Sequence, residues 1–381
     1  MRRAALMIAV VLVGTVLGAC TMLVVDDTDA GAPFVAEATP GTASAAVNSP
    51  PVLLVWTPDG LAPGLAAGVD ALPAATRVTE VRGDLVEMID PAAPAGYVTP
   101  LDALSIDPVG YASFLPKGAA ATIATLSPGE AVIGETSARL RRIGAGGSLD
   151  LADGTTARIV SVLDDALVGA AELVVAHDTL PAIVTPRFLL VAYDGPREAI
   201  EREIRELLPP GIAVRFRAPG ETPLMRHGDA VLPQATVKEQ FGEFSYRHGA
   251  GGDGRELELD PAWERDHIVE AEMPILGTVR CHRAIVDELR AALVDLEQRN
   301  LAYLVAADGY RGCFVPRLVA VDGGVSRHAW GVALDVNWPK NREGELGTQD
   351  PRLVDTMTAH GFTWGGPWLV PDPAHFEWVA I

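Results

Sequence analysis

The run Val52-Leu53-Leu54-Val55-Trp56 is short and wholly apolar, the signature of a buried strand. Thr76 to Arg82 alternates apolar and polar positions and predicts a half-buried strand. Ser148-Leu149-Asp150-Leu151 and Thr156 to Val162 flank Asp153-Gly154, which predicts a hairpin. Arg187 to Tyr193 reads as another strand. From Pro196 to Leu208 the spacing of Ile200, Ile204, Leu207 and Leu208 is helical, and Pro209-Pro210-Gly211 stops it. Residues 52–220 are therefore expected to form a mixed α/β domain. Residues 221–270 read as a polar connector with the loop His248 to Gly254; His227, His248 and His267 have no partners at ligand spacing and are expected at the surface or a hinge.

Beyond it, Ile285, Val286, Leu289, Ala292, Leu293 and Leu296 fall on one helical face, with Asp287, Glu288, Arg290 and Asp295 on the other. Leu301 to Ala306 suits a strand. A second helix is marked by Asp350 as N-cap, Pro351 in its first turn and Gly361 past its end. Residues 271–381 are expected to form an α+β domain of ordinary size.

The N-terminus adds a location. Met1-Arg2-Arg3 precedes an uncharged run from Ala4 to Val25, long enough to span a bilayer, for which about 20 apolar residues are needed. Leu17-Gly18-Ala19-Cys20 also fits a lipoprotein signal, with Cys20 as the lipidation candidate. Residues 1–25 thus read as a signal or anchor segment, and the Ala/Thr/Ser/Gly/Pro-rich stretch 26–51 as a flexible tether. Both routes place the rest of the chain outside the cytoplasm, attached to the membrane. There Cys281 and Cys313, the cysteines left besides Cys20, are expected to form a disulfide, the alternative being two buried thiols. The net charge of −20 argues against a nucleic-acid partner.

The candidate chemistry lies near the C-terminus. In Gly331-Val332-Ala333-Leu334-Asp335-Val336-Asn337, read as a strand, one face is apolar and the other small and polar. His328 lies seven residues before Asp335, which requires a loop-to-strand arrangement. His375 and Glu377 alternate onto one face of a later strand, and Asp372 sits on the bend before it. Two histidines and a carboxylate can hold one zinc ion and leave a coordination position open.

Ser326-x-His328-(x)6-Asp335 followed by Asp372-x-x-His375-Phe376-Glu377 resembles the peptidase M15 family. Its members include D-alanyl-D-alanine carboxypeptidases, VanX/VanY-type enzymes and L-alanyl-D-glutamate endopeptidases. The resemblance covers about residues 270–381 and implies an antiparallel sheet with flanking helices. It implies that His328, Asp335 and His375 bind one zinc and that Asp372 is the general base. It further implies that Arg317, in Gly312-Cys313-Phe314-Val315-Pro316-Arg317, binds the substrate carbonyl, in preference to Arg311. Ser326 corresponds to a motif serine that holds the substrate or the metal loop. Glu377 suits the orientation of a ligand histidine, the alternative being a surface salt bridge. The expected substrates are peptidoglycan stem peptides. The alternative is a non-catalytic peptidoglycan-binding or sensor protein tethered to the membrane.

A looser resemblance, to the extracellular core domains of MacB/FtsX-like permeases, rests on Gly129 to Gly134, Gly146 to Leu151 and Ile159 to Leu163. It implies a spacing or binding module, with an unknown protein as a possible partner of residues 52–220.

Overall fold

The strands of the first half are β1 (Val52–Trp56), β2 (Ala75–Met88), β3 (Thr99–Ile106), β4 (Glu130–Gly134), β5 (Ser148–Asp150), β6 (Thr156–Leu163), β7 (Leu173–Ala176), β8 (Pro186–Tyr193) and β9 (Arg215–Arg217). In the computed structural model, which describes residues 51–221, 227–251, 253–320 and 323–379, they form one sheet in the order β5-β6-β4-β7-β3-β2-β8-β1-β9. The expected anchor segment 1–25, Cys20 and the tether up to residue 50 lie outside the described residues. Among the described residues no helix is long and apolar enough to cross a membrane.

The sheet is mixed: β3–β7 and β4–β6 are parallel and the other pairs antiparallel. Its central strands β1, β7 and β8 are buried almost throughout, because helices and loops cover both faces. That is why they read as continuous apolar runs instead of alternating ones. The helix Leu65–Asp70 and the helix Arg197–Leu207 pack with Leu53, Val55, Leu189 and Val191 on one face. Tyr111, Ala112 and Ile123 pack with Leu54, Val81 and Leu190 on the other. The Asp153-Gly154 hairpin forms as expected between β5 and β6. The helix Arg197–Leu207 corrects one position: Leu207 is exposed, and Leu208 turns inward because its backbone is extended past the last helical turn.

The second half contains three small antiparallel sheets: β10 (Tyr246–His248) with β11 (Leu257–Leu259), β12 (Ile268–Met273) with β13 (Gly277–His282), and the order β14-β16-β15. The last comprises β14 (Ala333–Asp335), β15 (Phe362–Gly365) and β16 (Asp372–Trp378). The helix Val286–Gln298 buries Leu289, Ala292, Leu293 and Leu296 against this core, as its spacing predicts. Each fully buried leucine contributes about 1.5–3 kcal/mol. Asp350 caps the helix Pro351–Ala359 by accepting from Arg352 N, and Gly361 takes a left-handed φ of 84° just beyond it.

Two expectations are corrected here. Leu301 to Ala306 is not a strand but carries a 3-10 turn at Ala302–Leu304. The Asn337 side chain donates to Leu304 O and accepts from Ala306 N, so the backbone groups that a ladder would use are already satisfied. The described part of 221–270 is not a connector. Its helix Gln234–Phe241, β10, β11 and the helix Pro261–His267 place Val237, Phe241, Phe244, Tyr246 and Trp263 in the same core as Leu289 and Phe376. Sheet and C-terminal parts pack into one compact unit, with Leu85 and Val98 of the sheet side against the C-terminal core and Leu369 against the sheet's core.

Candidate metal centre

His328 does not lie on a strand. It sits in a 3-10 turn, Arg327–Ala329, whose N-cap is Ser326; the Ser326 hydroxyl accepts from His328 N at 3.3 Å. The turn is pressed against β13 at Gly331, where a Cβ would meet His282 N at 2.8 Å, and the φ of 70° there also favours glycine. His282 N donates to Gly331 O at 2.9 Å, which fixes the loop to the strand. Cys281, the neighbouring residue on β13, is bonded to Cys313, and Cys313 is buried beside the same loop.

Asp335 ends β14 and His375 lies in the middle of β16. The antiparallel register sets them directly opposite each other, with Glu377 opposite Ala333. His328 Nε2, His375 Nδ1 and Asp335 Oδ1 then form a triangle whose three sides are each 3.3 Å. All three residues are buried. A tetrahedral ion with nitrogen and oxygen donors at about 2.0–2.1 Å sets neighbouring donors about 3.3–3.4 Å apart, so the triangle is one face of such a shell. Asp335 Oδ1 is buried without a hydrogen-bond partner, as a ligand atom would be.

The outer nitrogen of His328 is oriented as a ligand histidine requires. His328 Nδ1 is 3.2 Å from Gly312 O and can only donate there, which leaves Nε2 as the lone-pair side. His375 Nε2 faces Glu377 Oε2 at 3.6 Å. Glu377 is buried, not a surface ion pair; it accepts from Val231 N at 3.0 Å and has Arg327 Nε 3.9 Å away.

The electrostatics favour a cation. Burial pushes Asp335 up, but the two histidines hold it far below the usual carboxylate range. Burial lowers His375, yet Asp335 and Glu377 lift it to about 10. Glu377 is brought to about 2, with His375 and Arg327 outweighing its burial. Asp372, whose Oδ2 is 3.9 Å from His375 Nδ1, is pushed up to about 6, chiefly by burial and despite the attraction of His375. A carboxylate with a raised pKa beside a cation site is suited to accepting and returning a proton.

The triad opens into a cleft of about 320 Å³. Arg317 is exposed and lines this cleft together with Asp372 and Ser326. Arg311 lies elsewhere, over the Trp338 ring and bonded to Asp308 O and Tyr310 O. His248 pairs with Glu87 and His267 stacks on Trp263, both apart from the triad. His227 stacks on Phe188 of the sheet and lines the cleft.

Three features escape sequence reasoning. Trp368 packs on the ring of His375, 5.1 Å between centroids, whereas Trp330 is a buried core residue. Trp368 lies in the turn between β15 and β16, where no periodicity marks it. Arg327, beside His328 in the motif, reaches back to Leu232 O. The far wall of the cleft is the nine-stranded sheet itself, through Trp56, Asp84, Leu104 and Arg187.

Similarity to solved structures is weak. The periplasmic region of MacB from Actinobacillus actinomycetemcomitans aligns at 11% identity and a TM-score of 0.31, over 44% of this chain and 88% of that one. The extracellular domain of the noncanonic ABC-type transporter YknZ from Gram-positive bacteria aligns at 12% identity and 0.31, over 44% and 98%. A domain of a permease protein from Porphyromonas gingivalis aligns at 14% and 0.29, over 48% and 93%. No curated protein matches the chain. In the C-terminal half, residues 320–378, which contain His328, Asp335, Asp372 and His375, match the family model described as D-alanyl-D-alanine carboxypeptidase.

Proposed function

We propose that the chain is a zinc-dependent peptidase that hydrolyses peptide bonds in peptidoglycan stem peptides, as a D-alanyl-D-alanine carboxypeptidase or a related endopeptidase. The observation that carries this reading is the 3.3 Å triangle of His328, Asp335 and His375 with Asp372 beside it. These three residues would hold one zinc ion, which when bound acidifies a water and polarises the scissile carbonyl. Asp372 takes the proton of the attacking water and passes it to the leaving amine. Arg317, at the rim of the cleft, faces the carbonyl oxygen as charge develops there. Ser326 contributes by holding the His328 turn, since its hydroxyl is engaged with His328 N.

The Cys281–Cys313 bond suits an oxidising compartment, in line with work outside the cytoplasm. Attachment through residues 1–25, by Cys20 or by a span, suits a substrate that is an immobile polymer. The sheet half is proposed as part of the substrate cleft, with any protein partner docking elsewhere on it.

The test is metal content combined with product analysis. Wild-type protein is expected to carry one zinc and to release stem-peptide fragments, identified by mass spectrometry, that disappear with chelator or in Asp372→Ala. Synthetic D-Ala-D-Ala and L-Ala-D-Glu peptides identify the bond. Wild type that cleaves no better than Asp372→Ala while binding peptidoglycan would establish the non-catalytic reading instead.

A further inference from the structure

The short segment 229–232 lies between the edge strand β9 and the metal centre, with bonds to both. Asp229 is nearly buried. Its Oδ1 accepts from Arg215 and, at 3.2 Å, from Arg217, both on the edge strand β9. Its Oδ2 accepts from Leu369 N, the residue after the Trp368 that packs on His375. Arg215 also donates to Pro367 O at 3.3 Å, so the Trp368 turn is held from the sheet at two points. Two residues on, Val231 N donates to Glu377 Oε1, and Glu377 Oε2 faces His375 Nε2. Leu232 O accepts from Arg327, whose neighbour is His328.

The far end of the segment is anchored too. Gln234 and Lys238, on the helix that follows, both donate to the buried Glu172 beside β7, at 3.0 and 2.7 Å. The segment is thus tied to the sheet at both ends and bonded in its middle to the groups around His375 and His328. A carboxylate that orients a ligand histidine does so only if its own second oxygen is fixed, and Val231 N–H supplies that fixture.

We infer that residues 229–232 are a positioning element of the metal centre, through which the sheet half completes the site. The inference rests on the metallopeptidase reading but assigns it a part supplied from outside the matched family region. Val231 N–H sets the rotamer of Glu377, and hence the ring of His375. Asp229 sets the Trp368 turn that covers the other side of that ring.

The experiment is zinc titration by chelator competition on the full chain, with apo thermal unfolding recorded for each protein. Val231→Pro deletes the N–H, whereas Val231→Ala keeps it and trims only a partly exposed side chain. Val231→Pro is expected to bind zinc about 10-fold more weakly or worse, the usual range for losing a partner of a ligand histidine. Val231→Ala is expected to match wild type. Asp229→Ala, which spares the Val231 bond, is expected to weaken zinc binding severalfold and serves as the deciding variant where Val231→Pro does not fold. A purely structural role would lower the apo unfolding temperature and leave the affinity of the folded protein unchanged. Unchanged affinity in folded Val231→Pro or, failing that, in Asp229→Ala overturns the inference alone, as does an equal loss in Val231→Ala. A wild type that binds no zinc overturns the peptidase reading and the inference together.

Discussion

Lys238→Met removes the ammonium group from the most deeply buried charge cluster among the described residues. Lys238 is fully buried, and Glu172 beside it is 1% exposed. Glu172 Oε1 accepts from Lys238 at 2.7 Å and from Gln234 at 3.0 Å, and Oε2 accepts from Arg141 at 2.8 Å. Burial pushes Glu172 up, but Lys238 and Arg141 more than reverse it, bringing it from its ordinary 4.5 to about 2. That depression corresponds to about 3 kcal/mol of stability. Breaking a buried pair by removing one partner costs about 3–5 kcal/mol, so the two routes agree on the scale. Because the folded pKa lies below the unfolded one, the stabilisation is complete above pH 4.5 and is lost as pH falls toward 2. Urea unfolding followed by tryptophan fluorescence should therefore show Lys238→Met about 3–5 kcal/mol less stable at pH 7. The deficit should shrink at pH 3, where Glu172 begins to take up a proton in the wild type and is protonated in the variant. The double variant Glu172→Gln/Lys238→Met should recover part of the loss. A deficit below about 1 kcal/mol, or one of the same size at both pH values, would falsify this reasoning.

Three further outcomes are expected. Trp368→Ala opens the wall beside His375; an aromatic contact of about 1 kcal/mol predicts a rise of about fivefold in KM for a stem peptide, and an unchanged KM would remove Trp368 from the cleft's working surface. Replacing Cys281 and Cys313 by alanine frees a crosslink with a sequence separation of 32, which should cost about 3–4 kcal/mol in denaturant unfolding; a loss under half of that would mean the surrounding core alone orders the His328 loop. Ser326→Ala deletes the cap of the His328 turn and should cost about 1 kcal/mol while weakening zinc binding. Full zinc affinity in that variant would show that the turn is held without it, by Gly331 O accepting from His282 N and His328 O accepting from Val315 N at 3.0 Å.

The central strands were legible because burial on both faces writes itself as an apolar run, and β1 and β8 begin or end within a residue of where Val52–Trp56 and Arg187–Tyr193 place them. The triad was legible because two histidines and a carboxylate are the residue types a metal takes, and because Ser326-x-His328-(x)6-Asp335 with Asp372-x-x-His375 resembles a known motif. Leu301 to Ala306 was not, because the deciding partner, the Asn337 side chain, is more than thirty residues away in sequence. Residues 234–246 looked like a connector because the helix that carries Val237 and Phe241 also carries Gln234 and Lys238, polar groups buried against Glu172. Polar residues that are inside for the sake of a distant ion partner leave no periodic trace. Trp368 and the sheet's contribution to the cleft were hidden for a related reason: a wall is made by tertiary docking, not by a local pattern.

The buried charges explain why the two halves must meet at this site. Around the triad, Asp335 and Glu377 are buried carboxylates and Asp372 is partly buried, and Arg327 is the nearby cation, itself partly buried. His375, lifted to about 10 by its two carboxylate neighbours, and Arg327 offset Asp335 and Glu377, and each of these buried ions would cost several kcal/mol without its partner. A divalent ion on the triangle would take the place of the His375 proton in balancing these carboxylates. A buried carboxylate still regains solvation by turning toward water, so the site depends on the groups that hold each one in place. Glu377 is held by Val231 N–H from the segment tied to the sheet, and it faces Arg327 of the His328 turn on its other oxygen. Val231 cannot drift, because Asp229 and Gln234 tie its segment to β9 and Glu172. A fragment of residues 271–381 would keep every candidate ligand and Arg327 but lose the Val231 restraint, so it should bind zinc more weakly than the whole chain even where it folds.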